Sequence, residues 1–177
     1  MSNQQTNNTW KADQMHSEAG FTISHLGISK MSGFFKNFDI SIQSEKEDFS
    51  DASVEATIHI GSLDTRVADR DHHLKESDFF DTENFPIAIV KGKVVSRINE
   101  NSYVLEADVT IKGITKKANL DFNFRGEAFN QMSQKQTAGF YLSGNLNRKD
   151  FGIASNIPGI VLSENVNLKF DGEFVKS

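Results

Sequence analysis

No cysteine occurs among the 177 residues, which removes disulfides, thiolate metal ligands and a cysteine nucleophile together. The compartment stays open on that count, because a secreted chain need not carry disulfides. A basic excess is lacking too: 19 Lys and Arg stand against 24 Asp and Glu, a formal net charge of −5 with a pI near 5.5. Such a balance offers no footprint for nucleic acid and no cationic cluster for an anionic membrane surface. No run approaches the ~20 apolar residues of a membrane span. The first ten residues, MSNQQTNNTW, are polar where a secretion leader needs a basic start and an apolar stretch. Read as written, the chain is expected in the cytoplasm, or outside it if a leader has been removed. Phosphate loops, Gly-x-Ser-x-Gly elbows and His-Glu-x-x-His metal motifs are missing as well, so no cofactor or resident metal is expected.

What is present is a period of two, almost everywhere. In ASVEATIHI, Ala52, Val54, Ala56, Ile58 and Ile60 share one face while Ser53, Glu55, Thr57 and His59 share the other. YVLEADVTI repeats the pattern with Tyr103, Leu105, Ala107, Val109 and Ile111, and ANLDFNF does so with Ala118, Leu120, Phe122 and Phe124. GFYLSGNL aligns Phe140, Leu142 and Leu146, and ENVNLKFDGEF aligns Val166, Leu168, Phe170 and Phe174. Earlier, GFTISH offers Phe21 and Ile23, and FFKNFDISI offers Phe38, Ile40 and Ile42; FPIAIVKGKVV is a further strand with a blurred face. Eight strands joined by short turns, such as Asn99 to Asn101 and Lys112-Gly113, predict an all-β antiparallel sandwich or closed barrel. The length suits one domain, here 10–177, preceded by a loose tail over residues 1–9.

An eight-stranded barrel is either just filled by its side chains or holds one small ligand. Small inward residues such as Ala52, Ala56, Ala107, Ala118 and Gly144 leave room for an apolar tunnel beside the 15 phenylalanines. Equally, the phenylalanines can fill the gaps opposite the alanines, as in any interdigitated core. Pattern alone leaves both open.

One segment departs from period two. Near residues 65–80 the spacing turns helical, with Asp64 or Thr65 as N-cap, Val67 and Leu74 seven apart, and Asp71 set to pair with Lys75. Such an insert is expected to cross the barrel mouth with Phe79, Phe80 and Phe85 tucked into the opening. Arg70 then reads as an ion-pair partner of Asp69, Asp71, Asp78 or Asp81. The sharper alternative is a metal-assisted or acid/base enzyme working around Arg70 to Asp81, with Asp71, His73 and Asp78 as its constellation. His16, His25 and His59 stand singly on strands, where a histidine is usually a hydrogen-bonded structural group. Arg148 and Asp150 in NRKDFGI are expected to fix the turn before the last strand with Phe151 and Gly152, and the glycines Gly27, Gly113 and Gly152 read as backbone devices at bends.

Five segments in order, ADQMHSEAGFTISHLGISKMSGFF, SLDTRVADRDHHLKESDFFDTENFP, VTIKGITKKANLDF, NRKDFGI and SENVNLKFDGEF, resemble the YceI-like family of polyisoprenoid-binding proteins from about Trp10 to Phe174. The resemblance implies a lipocalin-like eight-stranded antiparallel barrel with a helical insert after about four strands. It implies a long apolar pore that holds a polyisoprenoid, an isoprenoid quinone or a prenyl phosphate, in storage, transport or stress protection without catalysis. A homodimer is compatible with it. Glu76 departs from the family pattern, standing where a small serine is common, and so does the missing leader.

A prenyl tail has no hydrogen-bonding handle, so it must be recognised by excluding water along an apolar channel. Burying ~20 carbons at ~0.8 kcal/mol each gives ~16 kcal/mol gross, less an association cost of ~4–15 kcal/mol. The expected tunnel residues are Phe21, Ile23, Phe38, Val54, Ile58, Val90, Leu105, Val109, Leu120, Phe122, Phe140, Leu142, Val166, Leu168 and Phe170, some of them closed core near the narrow end. Ala107 is expected at mid-tunnel. A head group at the mouth is expected to meet His25, Arg70 or His73, each able to donate to oxygen.

Overall fold

The computed structural model describes residues 8–177. The expected tail falls mostly on residues 1–7, outside that range, but Thr9 pairs with Gln43 and already opens the first strand, so the barrel starts sooner than its sequence suggests. In chain order the elements are β1 (Thr9–His25), β2 (Ser29–Phe35), β3 (Phe38–Gln43), β4 (Ser53–His59), β5 (Leu63–Asp64), α1 (Ala68–Leu74), β6 (Ile87–Asn99), β7 (Ser102–Ile111), β8 (Ile114–Asn130), β9 (Lys135–Asn147) and β10 (Leu162–Lys176). The sheet runs β10-β9-β8-β7-β6-β4-β3-β1 and closes because β1 pairs back onto β10, while β2 and β5 extend from β1 as a flap. This is the expected eight-stranded antiparallel barrel with one short helix. Among the described residues no helix is long and apolar enough to cross a membrane.

Alternation is legible where a strand keeps one neighbour on each edge. Along β7, Tyr103, Leu105, Ala107 and Val109 are buried while Glu106 and Asp108 face out. The two-residue turn to β8 puts Lys112 at φ 50 and Gly113 at φ 72, the left-handed pair that matches strand twist in a tight hairpin. A side chain at Gly113 would also press on the Phe85 ring, 3.1 Å from its Cβ position. β1 hides its first half because it changes neighbour, pairing with β3 over Thr9 to Lys11 and with β2 over Ala19 to His25. Its register against β10 slips between Ala12 and Ser17, where β1 spends three residues more than β10, and an odd excess reverses the faces of all that precede it. Gln14 Nε2 donates to Phe38 O (2.7 Å) where the ladder is broken. β6 reads as blurred because Ile87 and Val95 lie exposed on its outer face, while Ala88, Val90 and Val94 face in.

One end of the barrel is solid. Residues 44–52 fold over it and drive Phe49, held at φ 59, against Trp10, Phe124 and Phe140 with ring centroids 5.7, 4.8 and 4.8 Å apart. Asp51 holds that loop by accepting from Ser44 Oγ (2.6 Å) and Glu45 N (3.1 Å), and Tyr103 Oη donates to Asp48 O (2.6 Å). The rings continue inward through Phe122–Phe140 (5.3 Å), Phe140–Phe174 (5.2 Å), Phe170–Phe174 (5.4 Å) and Phe38–Phe170 (5.9 Å, interplanar 88°). Edge-to-face pairs of this kind add ~0.5–1.5 kcal/mol each beyond area burial. The small inward residues here are not vacancies. A Cβ at Gly92 would lie 2.9 Å from Leu105 Cδ2, and one at Gly144 would overlap Leu120 Cδ2, so leucines from neighbouring strands already occupy that room.

The expected mid-barrel tunnel is therefore corrected: the barrel is filled from its Phe49 end through the level of Gly92 and Gly144. Ala107, 1 % exposed, sits in the filled half, where its Cβ is 3.1 Å from the Cβ position of Gly92. Ala107→Trp is thus expected to overpack the core, costing about 3 kcal/mol or more in a urea melt. A melt unchanged from the parent protein would show that this half is not packed.

Candidate functional site

Beyond the rings the interior opens into a cavity of ≈ 340 Å³. Its inner end is reached at one step on the inward rows of β10, β7, β6, β4 and β1. Leu168 lines it but Phe170 does not; Val109 but not Ala107; Val90 but not Gly92; Ile58 but not Ala56; Phe21 but not Ala19. The lining side chains Phe21, Ile23, Val166 and Leu168 are half-buried, whereas Phe170 and Ala19 one step below are buried.

The roof comes from two irregular segments. The first follows β5. The helix there is only Ala68–Leu74, shorter than the expected 65–80 span, and Val67 at its N-cap supplies no side-chain cap. Asp71 instead reaches back to accept from Thr65 N (2.8 Å) and Thr65 Oγ1, so it is not the partner of Lys75. Past Leu74 the chain turns tightly, with Phe79 N donating to Glu76 O and Phe85 N to Asp81 O, and Asp81 itself has φ 52, which no helix continues. Phe79 and Phe80 line the cavity as expected. Phe85 does not; it packs on the β7–β8 turn. Glu76 lies at the rim, 3.4 Å from the exposed His72.

The second segment, residues 148–162, is organised by Arg148, which is 3 % exposed. Nε donates to Ser163 O (3.0 Å), Nη1 to Ile153 O (3.0 Å) and Ala154 O, and Nη2 to Ile157 O and Leu162 O (2.8 Å each). All five N–H groups are thereby spent on backbone carbonyls. Burial pulls the guanidinium pKa down from its ordinary value, and the charge of Glu164 partly restores it. Arg148 does fix the turn before the last strand, with Gly152 at φ 67, while the ion pair beside it is Lys149–Glu164 (2.8 Å). The roof halves are latched together: Ala154 N donates to Asp78 O (2.7 Å), and Lys112 Nζ donates to Ser77 O (2.9 Å) and Gly152 O (3.2 Å).

Three ionisable groups named from sequence, His25, Arg70 and His73, all line this cavity. Arg70 is not the ion-pair partner it was expected to be. Nε and Nη2 donate to Thr65 Oγ1 and Thr65 O (2.8 Å each) and Nη1 points at Met31 Sδ (3.5 Å), and no ion pair forms with it among the described residues. Asp71 meets it only through the shared Thr65 hydroxyl, so a cation with N–H capacity to spare stands at the cavity wall. His73 Nε2 lies 3.2 Å from Asp78 Oδ2 and sets its ring edge-on to Phe79. Asp71 is held on Thr65, so the proposed Asp71, His73 and Asp78 constellation does not assemble as a trio. Asp13, His16 and Glu173 do approach one another, at the β1 register slip, outside this cavity.

Of the fifteen apolar residues named from sequence, Phe21, Ile23, Ile58, Val90, Val109, Val166 and Leu168 line the cavity. Phe38, Val54, Leu105, Leu120, Phe122, Phe140, Leu142 and Phe170 face the same interior but belong to the filled half, where period two points them inward without saying whether anything packs opposite. Met31, Phe35, Ile60, Leu146, Phe151, Ile153, Ile157 and Leu162 line it unannounced. Several sit in DFGIASNIPGIVL, whose one available signal was a surplus of apolar residues in a stretch with no strand period.

The sequence matches the YceI-like domain over residues 10–174. A UPF0312 protein of Staphylococcus epidermidis is 39% identical over 166 residues, covering 92% of this chain and 94% of that one. The chain belongs to the YceI-like family. Among solved structures, the Campylobacter jejuni YCEI protein superposes with a TM-score of 0.79 at 30% identity, over 88% of this chain and 90% of that one. Burkholderia cenocepacia BcnA gives 0.80 at 18% identity, over 94% and 99% of the two chains. A polyisoprenoid binding domain from Saccharophagus degradans gives 0.67 at 13%, over 96% and 99%. The last two likenesses speak for the fold alone.

In this YceI-like barrel Arg148→Met is expected to leave five carbonyls without their donor and to destabilise the protein by about 3–5 kcal/mol in chemical denaturation. Amide exchange over residues 152–162 should rise with it. Unchanged protection there would mean that the loop stands without Arg148.

Proposed function

We propose that the protein binds an isoprenoid lipid of the quinone or prenyl phosphate class, with its tail in the cavity and its head group at the mouth, and stores or carries it without reacting on it. The observation that carries this reading is the pairing of an apolar cavity of ≈ 340 Å³ with a cation at its wall, Arg70, which reaches Asp71 only through the Thr65 hydroxyl and makes no direct ion pair among the described residues. The apolar walls give a tail an environment free of water, and burial is roughly 0.8 kcal/mol per carbon. The guanidinium retains donors suited to a phosphate or a quinone oxygen. Arg148 is the other cation of the lining, but its five donors are already used, so it shapes the wall and offers the head group nothing. Membership of the YceI-like family and the likeness to a polyisoprenoid binding domain of the same fold support the reading.

The competing reading, acid/base or metal-assisted catalysis at the mouth, rests on the His73–Asp78 contact. Gentle purification, organic extraction with mass spectrometry and parallel elemental analysis separate the two. A stoichiometric prenyl lipid without metal is the expected result, and metal without lipid would overturn it. Arg70→Gln is expected to weaken prenyl phosphate binding about tenfold or more while leaving the neutral prenol within about threefold, since a hydrogen bond to a charged group contributes ~1.5–3 kcal/mol. Equal losses for both ligands would place the head group elsewhere.

A further inference from the structure

We infer that the cavity is a length gauge: it admits about three isoprene units of a prenyl tail, and the packed ring layer of Phe38 and Phe170, just outside its lining, stops longer ones. The inference rests on the lipid-binding reading above and adds to it the size of the ligand. An apolar cavity of ~150 Å³ holds one benzene, on the order of 25 Å³ per carbon. By that measure ≈ 340 Å³ shelters about 14 carbons, close to a 15-carbon tail.

The floor is a packed layer. Phe170 meets Phe38 edge-on at 5.9 Å and Phe174 at 5.4 Å, so it is wedged from two sides. The small residues at that level give no way past, because Leu105 fills the space over Gly92 and Leu120 the space over Gly144. A longer tail must therefore leave its surplus carbons looped outside the mouth, where they gain no burial, while its head group stays at Arg70. Leu26 and Ile28 stand exposed on the turn that Leu26 N ties to Val161 O at the lining, and they can cover an emerging tail from one side only.

The test is a series of prenyl monophosphates of 10, 15, 20 and 40 carbons, with dissociation constants measured on the lipid-stripped full chain. Affinity is expected to rise about tenfold or more from 10 to 15 carbons and then to change by less than about threefold through 40. A further tenfold gain between 20 and 40 carbons would overturn the gauge and leave lipid binding standing; no binding at any length would overturn both. Phe170→Leu lowers the floor with little loss of core volume, and Val90→Phe raises it. The plateau is expected to begin at 20 carbons in the first and at 10 in the second. If both folded variants keep the parent plateau, the floor is not formed by these residues.

Discussion

Eight antiparallel strands enclose an interior of nearly set width, and this chain divides it by height with phenyl rings. The run from Phe49 through Phe140, Phe174 and Phe170 to Phe38 is continuous edge-to-face or tilted packing. It anchors strands far apart in sequence onto one another, since β3, β9 and β10 all contribute rings. Where the rings stop, the cavity begins. Stability and function are thus assigned to opposite ends of one barrel, and an interior large enough for a lipid need not cost the fold its core.

The open end has a different difficulty. Its roof is made of backbone without strand or long helix, and buried carbonyls without donors are costly. Arg148 meets that need with five donors aimed at five carbonyls, which lets residues 148–162 line an apolar space. The insert solves the same problem by a local device, Asp71 accepting from Thr65. Lys112 then bridges the two segments from the tip of a hairpin.

The barrel was legible because period two survives wherever a strand keeps its neighbours, as in β7 and β10. It was lost in the first half of β1, where the chain changes partner and slips register, and in β6, whose outer face is also apolar. The site was legible as a direction rather than a depth. Leu168 and Phe170 carry the same signal, yet one lines the cavity and the other is packed among rings outside it, because occupancy depends on residues arriving from other strands. Gly144 makes the point most clearly: in the sequence it suggests space, and in the fold Leu120 fills it.

Arg70 and Arg148 show what burial and partners add to residue type. Both are arginines beside acidic neighbours in the chain, and both were expected to serve structure through nearby charge. In the fold neither takes a carboxylate. Arg148 is satisfied in full by carbonyls, so its charge is enclosed and its geometry committed. Arg70 leans on Thr65 alone and a thioether, leaving donors and a formal charge turned toward an apolar space. Its spare N–H groups stand at the cavity wall, where an anionic or carbonyl-bearing head group of the proposed ligand would find donors. In the reading proposed above, that difference between the two arginines is what gives the cavity a preferred end for a head group.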